Sequence, residues 1–218
     1  MAKLYYVYGP MKSGKSLQLL AMAYNLEEQG IPCLCFKCVK DDVPSSEIKS
    51  RALDKQRESV PITKETDILK VVTLMVNKLK DNEKDPLKWI LIDECQFLTV
   101  DQVNQLAKIV DLLNINVKCW GLKTDFQTHL FIGSKRLLEI ANSLEEAKYS
   151  CGCGEKAIFN ARVSNNGVMI YKGPNVALYD GKDWKYVPMC RKCYIKLFEE
   201  TREIEQEIKD AKSEDNNN

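Results

Sequence analysis

GPMKSGKS, residues 9–16, fits the pattern G-x-x-x-x-G-K-[ST], and its surroundings decide how the chain folds. LYYVY (4–8) before it is a short apolar run rich in β-formers, as expected of a buried parallel strand. SLQLLAMAYNLEE (16–28) after it carries Leu17, Leu20 and Tyr24 at helical spacing. A strand, a glycine-bearing turn and a helix make up the context in which this motif grips phosphate. Backbone N–H groups wrap the anion, and the helix N-terminus favours its charge. In that reading Gly9, Pro10, Met11, Lys12, Ser13 and Gly14 form the loop. Lys15 reaches the β- and γ-phosphates of ATP, and Ser16 ligates Mg²⁺.

WILIDE (89–94) supplies the matching half, an apolar strand ending in two carboxylates. Asp93 is expected to hold Mg²⁺, directly or through water. Glu94 is placed to act as a base toward the attacking oxygen. Cys95 and Gln96 follow and are counted with the nucleotide-binding set. These two motifs leave the acceptor open, since motor ATPases share the Asp-Glu pair and use it to polarise water.

The 218 residues bound one sizeable core and a small appendage, and a net charge of +1 gives no sign of a counter-ion-driven nucleic-acid binder. No run approaches the ~18 apolar residues of a membrane span, and no apolar leader precedes the phosphate motif. A soluble, cytoplasmic protein is expected, with neither nucleic acid nor membrane as partner. Nine cysteines in such a chain are not expected to pair as disulfides. In PCLCFKC (32–38), a strand by pattern, Cys33 and Cys35 face one side and Cys38 the other, which suits core or surface thiols rather than ligands. Cys119 reads as structural, as Cys95 does.

Strands and helices alternate along the first two thirds of the chain. Residues 39–65 are polar and turn-rich and read as a mobile loop. DILKVVTLMVNKLK (67–80) reads as a helix. Thr99 and Gln102 form a capping-box pattern before a helix expected to bury Val103, Leu106, Ala107, Val110 and Leu113. VKCWGL and SKRLLEIANS are the next strand and helix. The order implies an α/β fold, a doubly wound parallel sheet with ligands at the carboxyl ends of its strands.

The character changes near Cys151. AIFNARV and VMIYK read as short β-pieces joined by an Asn-Asn-Gly turn, and a charged helix and a disordered tail, SEDNNN, follow. The chain is accordingly divided into a nucleotide-binding domain (1–148), a metal-binding β-domain (149–194) and a terminal helix with its tail (195–218). CGC (151–153) and CRKC (190–193) bracket the β-pieces. Cys151, Cys153, Cys190 and Cys193 form a tetrahedral set suited to a structural zinc, which would replace a core that so short a region cannot build.

The blocks YGPMKSGKS, LIDECQFL, GLKTDFQ, CGCGEKAIFNARV and DGKDWKYVPMCRKCY, in this order over nearly the whole chain, resemble a type II thymidine kinase. The resemblance implies a RecA-like P-loop domain, a small zinc domain with a lasso loop, ATP as donor, thymidine as acceptor, and a homotetramer. It gives Glu94 the role of catalytic base, with Lys15 and Arg51 beside it; Arg51 matches a family arginine. Met11, Phe97, Leu122, Phe126 and Phe131 match positions lining the nucleoside pocket. Ala177, Leu178, Tyr179, Asp180 and Gly181 resemble the lasso segment whose backbone reads the thymine edge, and Tyr186 matches a pocket tyrosine. Asn160 stands where some members have a threonine near the base. Lys12 stands where phenylalanine is common, Val43 where an arginine follows Asp41 by two, and Cys193 where many members have histidine. The alternative on the residues alone is a RecA-like ATPase whose zinc module touches DNA or a partner.

Overall fold

The computed structural model describes residues 1–39, 47–50, 55–83, 85–173 and 183–215. The chain forms two units, residues 1–123 with 130–147, and residues 124–129 with 148–218.

The first unit is built on a six-stranded sheet. Its strands are β1 (Leu4–Tyr8), β2 (Cys33–Cys38), β5 (Val60–Ile62), β6 (Trp89–Asp93), β7 (Asn116–Gly121) and β8 (Ser143–Glu146). The spatial order is β5-β2-β6-β7-β1-β8, and every pairing is parallel. This is the α/β sheet that the alternation implies. Side chains sort by the two-residue period of a strand. Leu4, Tyr6, Ile90, Ile92, Val117 and Cys119 point into one core, with α2 (Ile68–Asp81), α3 (Val100–Leu113) and α4 (Ile132–Ile140). Val7, Leu91, Cys35 and Trp120 point into the other, beneath α1 (Lys15–Glu28). Cys35 and the partly buried Cys33 share one core and Cys38 lies in the other, as the alternation requires.

Some expectations change. The helix α1 packs through Leu19, Ala23 and Leu26, while Tyr24 is exposed. In α3 the buried set is Gln102, Val103, Leu106, Ile109 and Val110; Ala107 and Leu113 are half-buried. The stretch 39–65 is not simply a loop, because its described residues include β5 and an antiparallel hairpin of β3 (Glu47–Ser50) and β4 (Lys55–Glu58). The hairpin's two described strands are polar apart from Ile48, which is fully buried under α1, and Arg57 forks onto the Glu27 carboxylate of α1.

In the second unit β9 (Phe159–Ser164) pairs antiparallel with β10 (Trp184–Met189), followed by α5 (Arg191–Asp215). The turn at Asn165–Gly167 forms, but VMIYK contributes only a bridge from Met169 to Val163 rather than a strand. Ser213, Glu214 and Asp215 of the tail continue α5. No described helix is long and apolar enough to cross a membrane.

The capping box at Thr99 forms, and Gln102 does more than cap. Its Oε1 accepts from the Thr99 N–H at 3.1 Å, and its Nε2 donates to the carbonyls of Thr63 at 2.7 Å and Thr66 at 3.0 Å. The side chain is 2% exposed. Thr99→Ala removes a cap worth ~1 kcal/mol. Gln102→Leu removes the bond to the Thr99 N–H and those to the Thr63 and Thr66 carbonyls together, several hydrogen bonds at about 0.5–1.5 kcal/mol each. Urea denaturation should therefore rank Gln102→Leu as the less stable of the two variants.

Candidate active site

β1 feeds the turn at residues 9–14 and α1 carries the chain away, so the loop lies at the carboxyl edge of the sheet. Gly14 has φ of 77°, a left-handed conformation that disfavours any Cβ and lets the turn enter the helix. The Lys15 ammonium lies across the loop. It donates to Pro10 O at 2.6 Å, Gly9 O at 3.2 Å and Ser13 Oγ at 3.1 Å. Burial lowers its pKa, and the charges of Glu94 and Asp93 oppose that shift.

Ser16 Oγ donates to Asp93, 3.1 Å from Oδ2 and 3.4 Å from Oδ1. Asp93 is buried at the end of β6, and its carboxyl is pushed up to about 7, first by burial and then by the charge of Glu94; the Ser16 hydroxyl works the other way. Glu94 leaves the strand with φ of 56°. Its N–H donates to Asp93 Oδ1 at 3.0 Å, and its Oε2 accepts from Gln96 Nε2 at 2.5 Å. Cys95 and Gln96 are themselves buried.

A cavity of about 590 Å³ opens over these groups, lined among others by Met11, Lys12, Lys15, Ser16, Asp93, Glu94 and Leu122. Two lysines that sequence reasoning missed also line it. Lys37, near the end of β2, donates to Glu47 O at 2.7 Å, and Lys49 of β3 pairs with the Glu47 carboxylate at 2.8 Å. Lys37 carried a usable signal, since it ends a parallel strand on the edge where open α/β sheets bind ligands. Lys49 sits in the stretch read as a loop. Phe97 and Phe131, also in this unit, meet edge-on with centroids 5.9 Å apart.

The second unit holds Phe126, Asn160, Tyr186 and the four cysteines. Phe126 is carried by a tight turn in which Asp125 Oδ1 accepts from the N–H groups of Gln127 and His129, both at 2.9 Å. Above its ring, 3.7 Å from the centroid, lies the Arg162 guanidinium, which also faces Trp184 at 4.9 Å and donates to the Tyr186 hydroxyl at 3.3 Å. Arg162 was not singled out from sequence; its one clue is a lone cation in the apolar run AIFNARV. Asn160 is buried in β9. The predicted residues Arg51, Ala177, Leu178, Tyr179, Asp180 and Gly181 lie outside the described residues, as do Asp41 and Val43.

The sulfur atoms of Cys151, Cys153, Cys190 and Cys193 all lie within 4.8 Å of one another. Cys153 and Cys190 are 3.7 Å apart, close to the ~3.8 Å edge of a tetrahedron with ~2.3 Å metal–sulfur bonds. The Cys151 thiol is drawn down to about 6, chiefly by the Cys153 N–H, while Cys193 is pushed up to about 12 by sharing hydrogen bonds with the other sulfurs. Four sulfurs at this near-tetrahedral spacing are the ligands that a soft divalent ion prefers. The donor set therefore fits a thiophilic divalent metal.

A family model described as thymidine kinase matches residues 2–194. Proteins named thymidine kinase from Streptococcus pyogenes serotype M3 and serotype M1 are each 40% identical over 196 residues, covering 89% of this chain and 98% of theirs. The thymidine kinase of Streptococcus agalactiae serotype Ia shows the same identity over the same shares of both chains. With the phosphate loop, the paired carboxylates and the cysteine cluster in place, these matches over nearly its full length show that the chain belongs to the thymidine kinase family.

Proposed function

We propose that this protein transfers the γ-phosphoryl group of ATP to the 5′-hydroxyl of thymidine, giving thymidine monophosphate. The observation that carries the reading is one cavity lined by Lys15, Ser16, Asp93 and Glu94 together with Met11 and Leu122. A phosphate grip, a base and apolar walls for an acceptor thus share one space, in a chain of this family.

In this reading the loop from Gly9 to Gly14 cradles the phosphates through its N–H groups, and Lys15 exchanges loop carbonyls for phosphate oxygens. Ser16 and Asp93 would hold Mg²⁺, which supplies charge neutralisation at the β- and γ-phosphates. The raised pKa of Asp93 supports this role, because an uncompensated carboxylate in that corner is costly and a cation relieves it. Glu94 accepts the proton of the 5′-hydroxyl. Arg51, Lys37 and Lys49 offer positive charge near the phosphates, where this chain has Val43 in place of a family arginine. Met11, Phe97, Leu122, Phe126 and Phe131 wall the nucleoside, Tyr186 and Asn160 adjoin it, and the backbone of residues 177–181 reads the thymine edge. Cys151, Cys153, Cys190 and Cys193 would hold a structural zinc that fixes the module carrying that segment. We read residues 1–148 as the donor domain, 149–194 as the acceptor-reading module and 195–218 as a terminal appendage. The family resemblance further supports a cytoplasmic homotetramer.

The deciding assay incubates protein, Mg-ATP and thymidine and measures thymidine monophosphate. ADP release at the same rate without thymidine, with no monophosphate formed, would show water to be the acceptor. Glu94→Gln should lower kcat by about 10²–10⁴-fold, the range of general-base assistance, and leave ATP binding nearly intact. Lys15→Ala should damage both nucleotide binding and turnover.

Metal analysis of protein purified without added zinc should find about one equivalent per chain. Cys190→Ser should lose the metal and thymidine binding together while ATP binding persists; normal thymidine binding by that variant would remove the structural role. Tyr186→Ala should raise the KM for thymidine more than the KM for ATP, and equal effects on both would place Tyr186 away from the nucleoside.

A further inference from the structure

We infer that Gln96 is a positioning residue that locks the Glu94 carboxylate in register with the cavity wall formed by Leu122. The inference rests on the reading of Glu94 as the base. Gln96 is 3% exposed and both ends of its amide are committed. Nε2 donates to Glu94 Oε2 at 2.5 Å, and Oε1 accepts from the Leu122 N–H at 3.0 Å. Only one orientation of the carboxamide satisfies both partners, because the flipped amide would set oxygen against carboxylate and NH₂ against N–H. Leu122 is fixed from its other side too. Its carbonyl accepts from Ser134 Oγ at 2.6 Å and from the Tyr6 hydroxyl at 3.0 Å. Gln96 therefore joins the base to a backbone segment that cannot drift.

The neighbouring glycine shows how tightly this bridge is built in. A Cβ on Gly121, the last residue of β7, would lie 2.6 Å from Gln96 Oε1, 2.6 Å from Cys95 Sγ and 3.0 Å from the Gln96 backbone nitrogen. The strand ends without a side chain where the carboxamide crosses it. With the bridge intact, Glu94 keeps one carboxylate oxygen engaged and the other free for the acceptor proton. Without it, the side chain regains rotamers that point elsewhere, and a displacement of about 1 Å in a reacting group can cost ~10²-fold in rate.

The test is a double-mutant cycle on thymidine phosphorylation in single turnover, with Gln96→Leu, Glu94→Gln and the double variant. Gln96→Leu is expected to lower the rate about 10–10²-fold in the parent. In the Glu94→Gln background it should cost almost nothing further, because the group it positions is gone. An equal loss in both backgrounds, or none in either, overturns the inference. Gln96→Glu keeps the size and the acceptor for Leu122 N–H but sets a second carboxylate beside Glu94. It should lower the single-turnover rate in the parent as Gln96→Leu does, because the donor to Glu94 is gone, and cost almost nothing further in the Glu94→Gln background; an unchanged rate, or an equal loss in both backgrounds, overturns the inference, and this variant carries the test if Gln96→Leu fails to fold. If Glu94→Gln alone leaves the rate unchanged, the base assignment itself falls and the inference falls with it.

Discussion

Two carboxylates, an ammonium and a hydroxyl share one partly buried corner at the carboxyl ends of β1 and β6, and the first unit is organised around keeping them there. Burial penalises the charges of Asp93 and Lys15, raising the one pKa and lowering the other. The corner persists because each charge has a partner: Ser16 on Asp93, loop carbonyls on Lys15, Gln96 on Glu94. The sheet order sets its width. β7 lies between β1 and β6, so their ends are roughly 10 Å apart at ~4.8 Å per strand. The loop and first turn of α1 must cross that gap for Ser16 to reach Asp93. The bridged gap is a socket of the right scale for a polyphosphate and its cation.

The elements read from sequence were those whose pattern is local. LYYVY, WILID and VKCWG declare themselves by apolar content, and α3 by its cap and its spacing. β8 was missed because SLEE has no apolar signature. It is a four-residue edge strand held by its pairing with β1, and the Asn142 side chain before it accepts from the Leu4 N–H at 2.7 Å. The β3–β4 hairpin was missed for the same reason, since Ile48 alone among its described side chains is fully buried. The face of α1 was misjudged because periodicity gives an amphipathic helix only when one side is clearly polar, and Leu17, Leu19, Leu20, Met22 and Leu26 run nearly all round it.

The site was legible to a different depth in its two halves. Phosphate loops and strand-end carboxylates are contiguous motifs whose chemistry follows from their residue types. Lys37 had only its place near a strand end as a signal, and Lys49 and Arg162 are placed by distant neighbours that no spacing rule brings forward. Arg162 is the sharper case. A buried guanidinium is expensive unless its edge finds acceptors and its face finds something polarisable. Phe126 and Trp184 supply the face and Tyr186 part of the edge, so one cation organises three aromatics beside a cluster in which, among the described residues, few side chains are fully buried. The cysteine cluster answers the same shortage by another route, since a bound metal would supply cohesion that burial cannot.

The spacing D-E-x-Q at residues 93–96 also acquires a physical reason. β6 must stop with Asp93 inside and turn Glu94 toward the cavity. A left-handed residue at Glu94 makes that turn abrupt, and the short 3₁₀ turn Cys95–Phe97 follows at once, closed by Phe97 N–H on Glu94 O at 3.1 Å. In so tight a turn the side chain two residues on folds back beneath the first. Cys95, between them, goes fully into the core and anchors the turn to the sheet. Glutamine has the reach to touch Glu94 and Leu122 together and the donor and acceptor to satisfy both. Asparagine is one methylene shorter, and glutamate lacks the donor. The strained residue, the buried cysteine and the amide thus form one device, in which backbone strain at Glu94 is offset by hydrogen bonds that hold its carboxylate at the cavity edge.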